Sequence, residues 1–360
     1  MADSQKEDPI DAKKVLDLMT ETGFQPNVAT FTELINSFCK RGRLQKAYEV
    51  FGIMDKVGCD PTINTYNCLL KGLCYVGRVE EAYELLMNIK KSSKKPDIYT
   101  YTAVMDGFCK VGRSNEALEL LEEALQMGIK PNAVTFNTLF NGYFKEGRPL
   151  EGLDLLKQMK GRDSNYRPDY ISYCTLLHGL LKWGETRAAL MIYKEMVGIG
   201  FEVDERMMNT LLRQLCRRSR KEKDLLKEAY QVFDKMTNSS VSVVHPATHE
   251  LVVEAFCLGK EMDKAVMNLG EMIRLGYSPK SFTFNYVIRV LCGEGKLEAA
   301  LWVLVVLYGG SRMPNEFGFS ILINEFNRQG KIWAACVVYG AALKRGVVPL
   351  KKPEDFCASI

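Results

Sequence analysis

IYTYTAVMDGFCKVGRSNEALELLEEALQMGIKPN, Ile98 to Asn132, reads as two short helices and two stops. Tyr101, Val104, Met105, Phe108 and Cys109 fall at i, i+3, i+4, i+7 and i+8, which is one apolar stripe on a helix. Lys110-Val111-Gly112-Arg113 breaks the pattern, with Gly112 suited to a helix C-terminus. The stripe resumes with Ala117, Leu120, Leu121 and Ala124, and Met127-Gly128-Ile129-Lys130-Pro131 ends the second helix. Two helices of this length cannot bury both stripes against each other, so neighbours of the same kind must stack.

The neighbours are present. PTINTYN (Pro61 to Asn67), PDIYTYT (Pro96 to Thr102), PNAVTFN (Pro131 to Asn137) and PKSFTFN (Pro279 to Asn285) open successive copies. PNVATFT, PDYISYC and PNEFGFS, starting at Pro26, Pro168 and Pro314, are weaker copies. Counting from the second residue after the proline gives repeats 28–62, 63–97, 98–132, 133–169, 170–204, 205–245, 246–280, 281–315 and 316–350. Seven are 35 residues long and the others 37 and 41; residues 9–27 form half of one more. A solenoid opening on half a repeat leads us to expect a chain trimmed or matured from a longer one. The expected architecture is an all-α superhelical solenoid of about nine helix-turn-helix repeats. It forms a single domain over 9–350, with tails at 1–8 and 351–360. Ala47, Ala82, Ala117, Gly152, Ala188, Ala229, Ala265, Ala299 and Ala334 mark where paired helices are expected to approach.

Composition narrows the function. The 360 residues are 47% apolar with a net charge of +4, a folded chain too weakly basic for charge alone to imply nucleic acid. No apolar run approaches the ~18 residues of a membrane helix, so no membrane role is expected. The opening MADSQKED is acidic, without apolar or Arg-rich targeting character. Of eleven cysteines, Cys39, Cys74, Cys109, Cys216, Cys257 and Cys292 share one register, where cysteine acts as a small apolar side chain. No C-x-x-C pair exists, and His245 and His249 have no third ligand in register, so neither metal nor cofactor is expected.

The first helix of each repeat carries the polar information. Position 4 points into the apolar stripe, so position 5 lies to one side of it; positions 2 and 13 differ by about 20° and share a second stripe nearby. Position 13 is Lys40, Lys110, Lys145, Lys182, Arg217 or Arg328 in six repeats. A cation once per repeat suits a phosphate backbone, although it also suits the dipole of a helix C-terminus. Position 5 is Thr32, Asn67, Thr102, Asn137, Cys174, Asn209, Glu250, Asn285 and Ser320. Position 35 is Thr62, Asp97, Asn132, Asp169, Asp204, His245, Lys280, Asn315 and Leu350. Asp, Asn or Thr at position 35 is what a helix N-cap requires. At position 5, Asn and Thr are poor helix formers placed inside a helix, where they can meet the edge of an unstacked base.

The period, the openings such as VTFNTLFNGYFKEGR and the endings such as MGIKPN resemble pentatricopeptide repeats, from residue 9 to about 350. The near-uniform length resembles the P class, found in plant organelles. The resemblance implies a right-handed superhelix that binds single-stranded RNA, one repeat per base. It would act in RNA stability, processing or translation in mitochondria or chloroplasts, with mitochondria favoured. It also implies that positions 5 and 35 read the base together. Asn67 with Asp97 and Asn137 with Asp169 resemble the uracil pair, Thr102 with Asn132 the adenine pair, and Asn285 with Asn315 a pyrimidine pair. Read 5′ to 3′, repeats 63–169 suggest U-A-U. Thr32/Thr62, Cys174/Asp204, Asn209/His245, Glu250/Lys280 and Ser320/Leu350 depart from the well-read pairs, and Glu250 and Lys280 can pair with each other. Position 2 sandwiches the base in this family, a role that Val134, Ile171 and Phe282 suit best and Asn64 and Arg206 suit poorly.

No deaminase signature or clustered carboxylate site appears, so neither editing chemistry nor nuclease activity is expected, nor any other catalysis. A protein-binding scaffold of the tetratricopeptide kind is the rival, but its 34-residue period and its W-x₂-L-G-x₂-Y pattern are not seen. The extra residues of repeat 205–245, including Arg217 to Leu226, read as a solvated loop or an added backbone contact. LEAALWVLVVLYGG and IWAACVVYGAALK are apolar nearly all round, so a protein partner or self-association is expected to cover them.

Overall fold

The computed structural model describes residues 26–161, 168–238, 244–309 and 316–354. Both termini, most of the expected half repeat and Asn315 lie outside them. The described residues form eighteen α-helices. The first helices are α1 Val28–Lys40, α3 Ile63–Tyr75, α5 Ile98–Lys110, α7 Ala133–Lys145, α9 Tyr170–Trp183, α11 Glu205–Ser219, α13 Pro246–Leu258, α15 Ser281–Gly293 and α17 Glu316–Arg328. Each begins at position 1 of its repeat. The second helices are α2 Leu44–Lys56, α4 Val79–Lys91, α6 Ser114–Gln126, α8 Pro149–Gly161, α10 Thr186–Ile199, α12 Asp224–Thr237, α14 Met262–Arg274, α16 Leu297–Gly309 and α18 Ile332–Leu343. The chain divides into an N-terminal block, Met1–Phe201, and a C-terminal block, Glu202–Ile360. Each block is an all-α helical-repeat solenoid. Within a block, successive first helices pack on one another, and each second helix packs on its partner and on the next first helix.

The local signals for these boundaries are capping groups. Asn27, Asp97, Asn132, Asp169 and Asp204 each accept a backbone N–H from the first turn of the helix that follows. Between the two helices of a repeat the chain needs a left-handed residue. Gly42, Gly77, Gly112, Gly147, Gly184, Gly295 and Gly330 supply it with φ of 69–82°. Repeat 246–280 places Lys260 there at φ 61°, the one positive-φ residue other than glycine among the described residues.

Packing explains the cysteines. In the N-terminal block, position 12 of one first helix presses on position 10 of the next, which is glycine. A Cβ on Gly72 would sit 2.5 Å from Cys39 Sγ, and one on Gly142 would sit 2.5 Å from Cys109 Sγ. Cys39, Cys74, Cys109, Cys216, Cys257 and Cys292 are buried, and burial pushes five of these thiols up to about 12 and Cys109 to about 11. They are small core residues rather than nucleophiles.

The expected small-residue row holds at Ala47, Ala82, Ala117, Gly152, Ala229 and Ala265, which are buried. It needs correction at three places. Ala188, Ala299 and Ala334 are only partly buried, whereas their neighbours Ala189, Ala300 and Ala335 are fully buried. One residue of helix is a 100° turn, so the row runs through the second alanine of each pair. No described part of the chain covers the apolar C-terminal helices, the surface where a partner or a second copy was expected. Trp302, Val305, Trp333 and Val337 are exposed by 47–75%.

Candidate nucleic-acid interface

Part of the set assigned to a ligand lines one groove in the N-terminal block, whereas Asn67, Asp97, Asn132 and Asn137 are not among its lining residues. It encloses about 410 Å³ across α1, α3, α5 and α7. Tyr99 and Val134 enter it from position 2, Thr102 from position 5, and Lys40 and Lys110 from position 13. Position 9, which sequence reasoning did not single out, adds Asn36, Lys71 and Asp106. Its signal was available: position 9 lies seven residues after position 2 and therefore on the same face.

Position 2 is exposed and apolar in several repeats. Tyr99, Val134 and Ile171 are 60–61% exposed, and Phe282 and Phe317 in the C-terminal block are 66% and 50% exposed. The aromatic ones, Tyr99, Phe282 and Phe317, offer flat faces on which bases can stack, while Val134 and Ile171 offer branched apolar contacts. Ala29, Asn64, Arg206 and Ala247 interrupt the series.

The position 5 and 35 side chains fall into two classes. In the first, part of the polar edge is uncommitted. Asn67 Nδ2 lies 3.5 Å from Asp97 Oδ1, a weak contact, while Asn67 Oδ1 is buried with no partner. Asn137 Oδ1 is likewise buried with no partner. Asp97 and Asp169 each use Oδ1 to cap the next helix, at 2.8 Å from Thr100 N and Ser172 N. No hydrogen bond engages their Oδ2 among the described residues.

In the second class the edge is spent. Asn209 Oδ1 accepts from His245 N at 3.0 Å, and Asn209 Nδ2 donates to Glu205 O at 3.1 Å. Glu250 accepts from Lys280 N and pairs with Lys280 Nζ, both at 3.0 Å, as the sequence allowed. Ser320 Oγ accepts from Leu350 N at 2.8 Å. Cys174 is partly buried and Asp204 caps α11; Asn285 is partly buried at the start of α15.

In two reading pairs a third residue sits between the partners. Thr102 Oγ1 meets Thr135 Oγ1 at 2.9 Å, and Thr135 Oγ1 donates to Asn132 Oδ1 at 3.1 Å. Thr32, Thr65 and Thr62 repeat this relay at 2.9 and 3.2 Å. The shared residue is position 3 of the following repeat, where Thr65, Thr100, Thr135, Ser172, Thr248 and Thr283 are buried. Its recurrence is visible in the sequence, but a threonine inside a helix gives no sign that it bridges two repeats.

The position 13 cations are all exposed. Lys110 pairs with Asp106 at 2.5 Å and Arg328 pairs with Glu325 at 2.7 Å. Lys40, Lys145, Lys182 and Arg217 have no ion-pair partner among the described residues. His245 caps α13 through Nδ1, and His249 is buried with Nδ1 at 2.7 Å from Asn268 Oδ1, so the two imidazoles do not converge. Among the described residues no group of three or more side chains could hold a metal, and no helix is long and apolar enough to cross a membrane.

Comparison with known proteins gives matches along most of the chain. The PPR repeat family model matches residues 26–75, 61–110, 96–144 and 131–182, and a model described as the pentacotripeptide-repeat region of PRORP matches 160–339. A pentatricopeptide repeat-containing protein of Arabidopsis thaliana is 28% identical over 100 residues, covering 28% of this chain and 16% of that protein. The Arabidopsis thaliana small ribosomal subunit protein mL103 (rPPR7) is 27% identical over 136 residues, covering 38% and 31%. The chain thus covers less than a third of the length of either relative. The structure of the pentatricopeptide repeat protein PPR10 with an 18-nt psaJ RNA element matches at 20% identity and a TM-score of 0.43, over 91% of this chain and 56% of that one.

Proposed function

The chain belongs to the pentatricopeptide repeat family, and from that premise we propose that it is a sequence-selective binder of single-stranded RNA that works by occupancy and not by catalysis. The observation that carries this reading is the pair of buried, unpartnered acceptors, Asn67 Oδ1 and Asn137 Oδ1. A buried polar group without a hydrogen bond costs roughly 1–3 kcal/mol. These two fall at position 5, in register, beside carboxylates with an oxygen to spare. The imino N–H of uracil is a donor of the size and polarity that such an acceptor lacks. Thr102 and Asn132 between them present hydroxyl and amide groups, so repeats 63–169 read U-A-U, and Val134 and Ile171 lie where a base would be sandwiched.

The reading takes 9–350 as one P-class solenoid acting in organellar RNA stability, processing or translation, with mitochondria as the favoured compartment. Lys40, Lys145 and Lys182 supply unpaired positive charge for phosphates. Asn285 with Asn315 and Phe282 form a further reading site in the C-terminal block. Trp302, Val305, Trp333 and Val337 offer an apolar face to a protein partner or a second copy.

Selection from a random single-stranded RNA pool at fixed salt tests the reading. Enrichment of a U-A-U core is expected. Recovery of no RNA sequence above the starting pool would rule it out.

A further inference from the structure

Helix α11 differs from the other first helices in what it places at positions 2, 9 and 13, which line the groove of the N-terminal block. In α5 those positions hold Tyr99, Asp106 and Lys110, all of which line the groove. In α11 the equivalent residues are Arg206, Arg213 and Arg217. Spacings of seven and four residues bring the three within about 40° of one another around the helix axis. Arg206 is the only arginine at position 2 in the nine repeats.

These arginines have almost no internal work. Arg206 and Arg217 are exposed and have no side-chain hydrogen bond or ion pair among the described residues. Arg213 is half-buried, and its contacts are neutral: Nε donates to Asn209 O at 3.3 Å and Nη2 to Thr210 Oγ1 at 3.4 Å. The acids nearby are largely occupied. On α13, which packs against α11, Glu250 pairs with Lys280 and Glu254 with Arg220. Asp204 uses Oδ1 on the first turn of α11, at 2.6 Å from Arg206 N, and Glu202, Asp204 and Glu205 are the acids that precede Arg206 in sequence.

The base-reading edges here are spent as well. Asn209 is bonded on both sides of its amide, and Glu250 and Lys280 bond each other twice. Guanidinium groups match phosphate oxygens in charge and fork geometry, and carry no preference among bases.

The geometry points to a phosphate clamp on α11, in which Arg206, Arg213 and Arg217 hold the backbone of the bound RNA while repeats 205–245 and 246–280 read no base. This rests on the single-stranded RNA binding proposed above. It divides the footprint into a reading segment, a two-repeat segment held only by charge, and a second reading segment at Asn285.

The test uses the full chain and a single-stranded RNA of about 20 nucleotides with one U-A-U core, titrated between about 50 and 200 mM salt. Three contacts at about 0.7 each predict that R206Q/R213Q/R217Q makes the slope of log Kd against log salt shallower by about 2. The advantage of the unmodified protein then shrinks roughly 16-fold across that range. Base preference, scanned one nucleotide at a time, is expected to stay unchanged. R206Q/R217Q alters exposed residues only, and it should lower the slope by roughly 1.4 with the thermal midpoint unmoved. A triple variant with an unchanged slope, or with an altered base preference, overturns the clamp. An unmodified protein that binds no RNA overturns the underlying reading instead, so the two failures are told apart by the unmodified protein alone.

Discussion

Asn137 bears two burdens in one side chain. It occupies a helix position that asparagine disfavours, and it keeps Oδ1 buried with no partner. A fold optimised for stability alone would place leucine or alanine there. Asp169 is less constrained, because Asp and Asn cap helices about equally well. The double change Asn137→Thr with Asp169→Asn should therefore leave α9 capped and move preference at one nucleotide from uracil to adenine. The discrimination should change by roughly tenfold or more, consistent with about 1–3 kcal/mol for one well-made base-edge pair. Competition binding between two oligonucleotides differing at that nucleotide measures it. Equal preference before and after would remove Asn137 from the reading set. Register alone identified this residue. The commitments of Asn209, Glu250 and Ser320 were less legible, because they depend on backbone N–H groups 30 to 36 residues away.

Among the elements, the turn between paired helices is the most regular feature and has one exception. Lys260 holds φ 61° where seven other repeats use glycine. A non-glycine residue in the left-handed region costs roughly 1–2 kcal/mol, part of which glycine returns as entropy of the unfolded chain. Lys260→Gly should thus raise the stability of the C-terminal block by about 0.5–1 kcal/mol. A urea midpoint that does not rise would show that Lys260 recovers the strain elsewhere, for instance through Glu294 at 3.7 Å. Seven of the nine first-helix starts were legible from a proline two residues ahead and the apolar period that follows, whereas Val203 and Val244 stand in its place before α11 and α13. The packing row was legible only to within one residue. Ala188-Ala189, Ala299-Ala300 and Ala334-Ala335 are tandem pairs, and composition cannot say which alanine faces inward.

Across the whole molecule the two blocks are expected to differ in their sensitivity to acid. The chain has three histidines, and of these His249 in the C-terminal block is buried, whereas His178 and His245 are exposed. Burial depresses His249 below its ordinary 6.5, opposed by its bond to Asn268 and by the charge of Glu271. The unfolded chain therefore binds this proton more readily than the folded one. The stability it protects is complete above 6.5 and declines as pH falls from there toward the depressed folded value. Glu146 and Glu325, whose carboxyls are held below their ordinary 4.5, lose their contribution only at lower pH. Urea unfolding of the C-terminal block should show a lower midpoint at pH 5.5 than at pH 7.5, and His249→Gln should flatten that difference. A difference of the same size in the variant would place the acid sensitivity elsewhere.

The buried hydroxyl at position 3 also bears on how such chains can be recombined. Thr135 belongs by sequence to repeat 133–169 but is bonded to Thr102 and Asn132 of the repeat before it. A cut made at the repeat boundary would separate a reading pair from the hydroxyl that holds it. The transferable cassette is therefore offset, running from position 4 of one repeat to position 3 of the next, as from Tyr101 to Thr135. Chimaeras joined at those offset seams should keep their specificity, whereas those joined after position 35 should lose the bridge where the incoming position 3 has no hydroxyl, as at Met207 or Gly318.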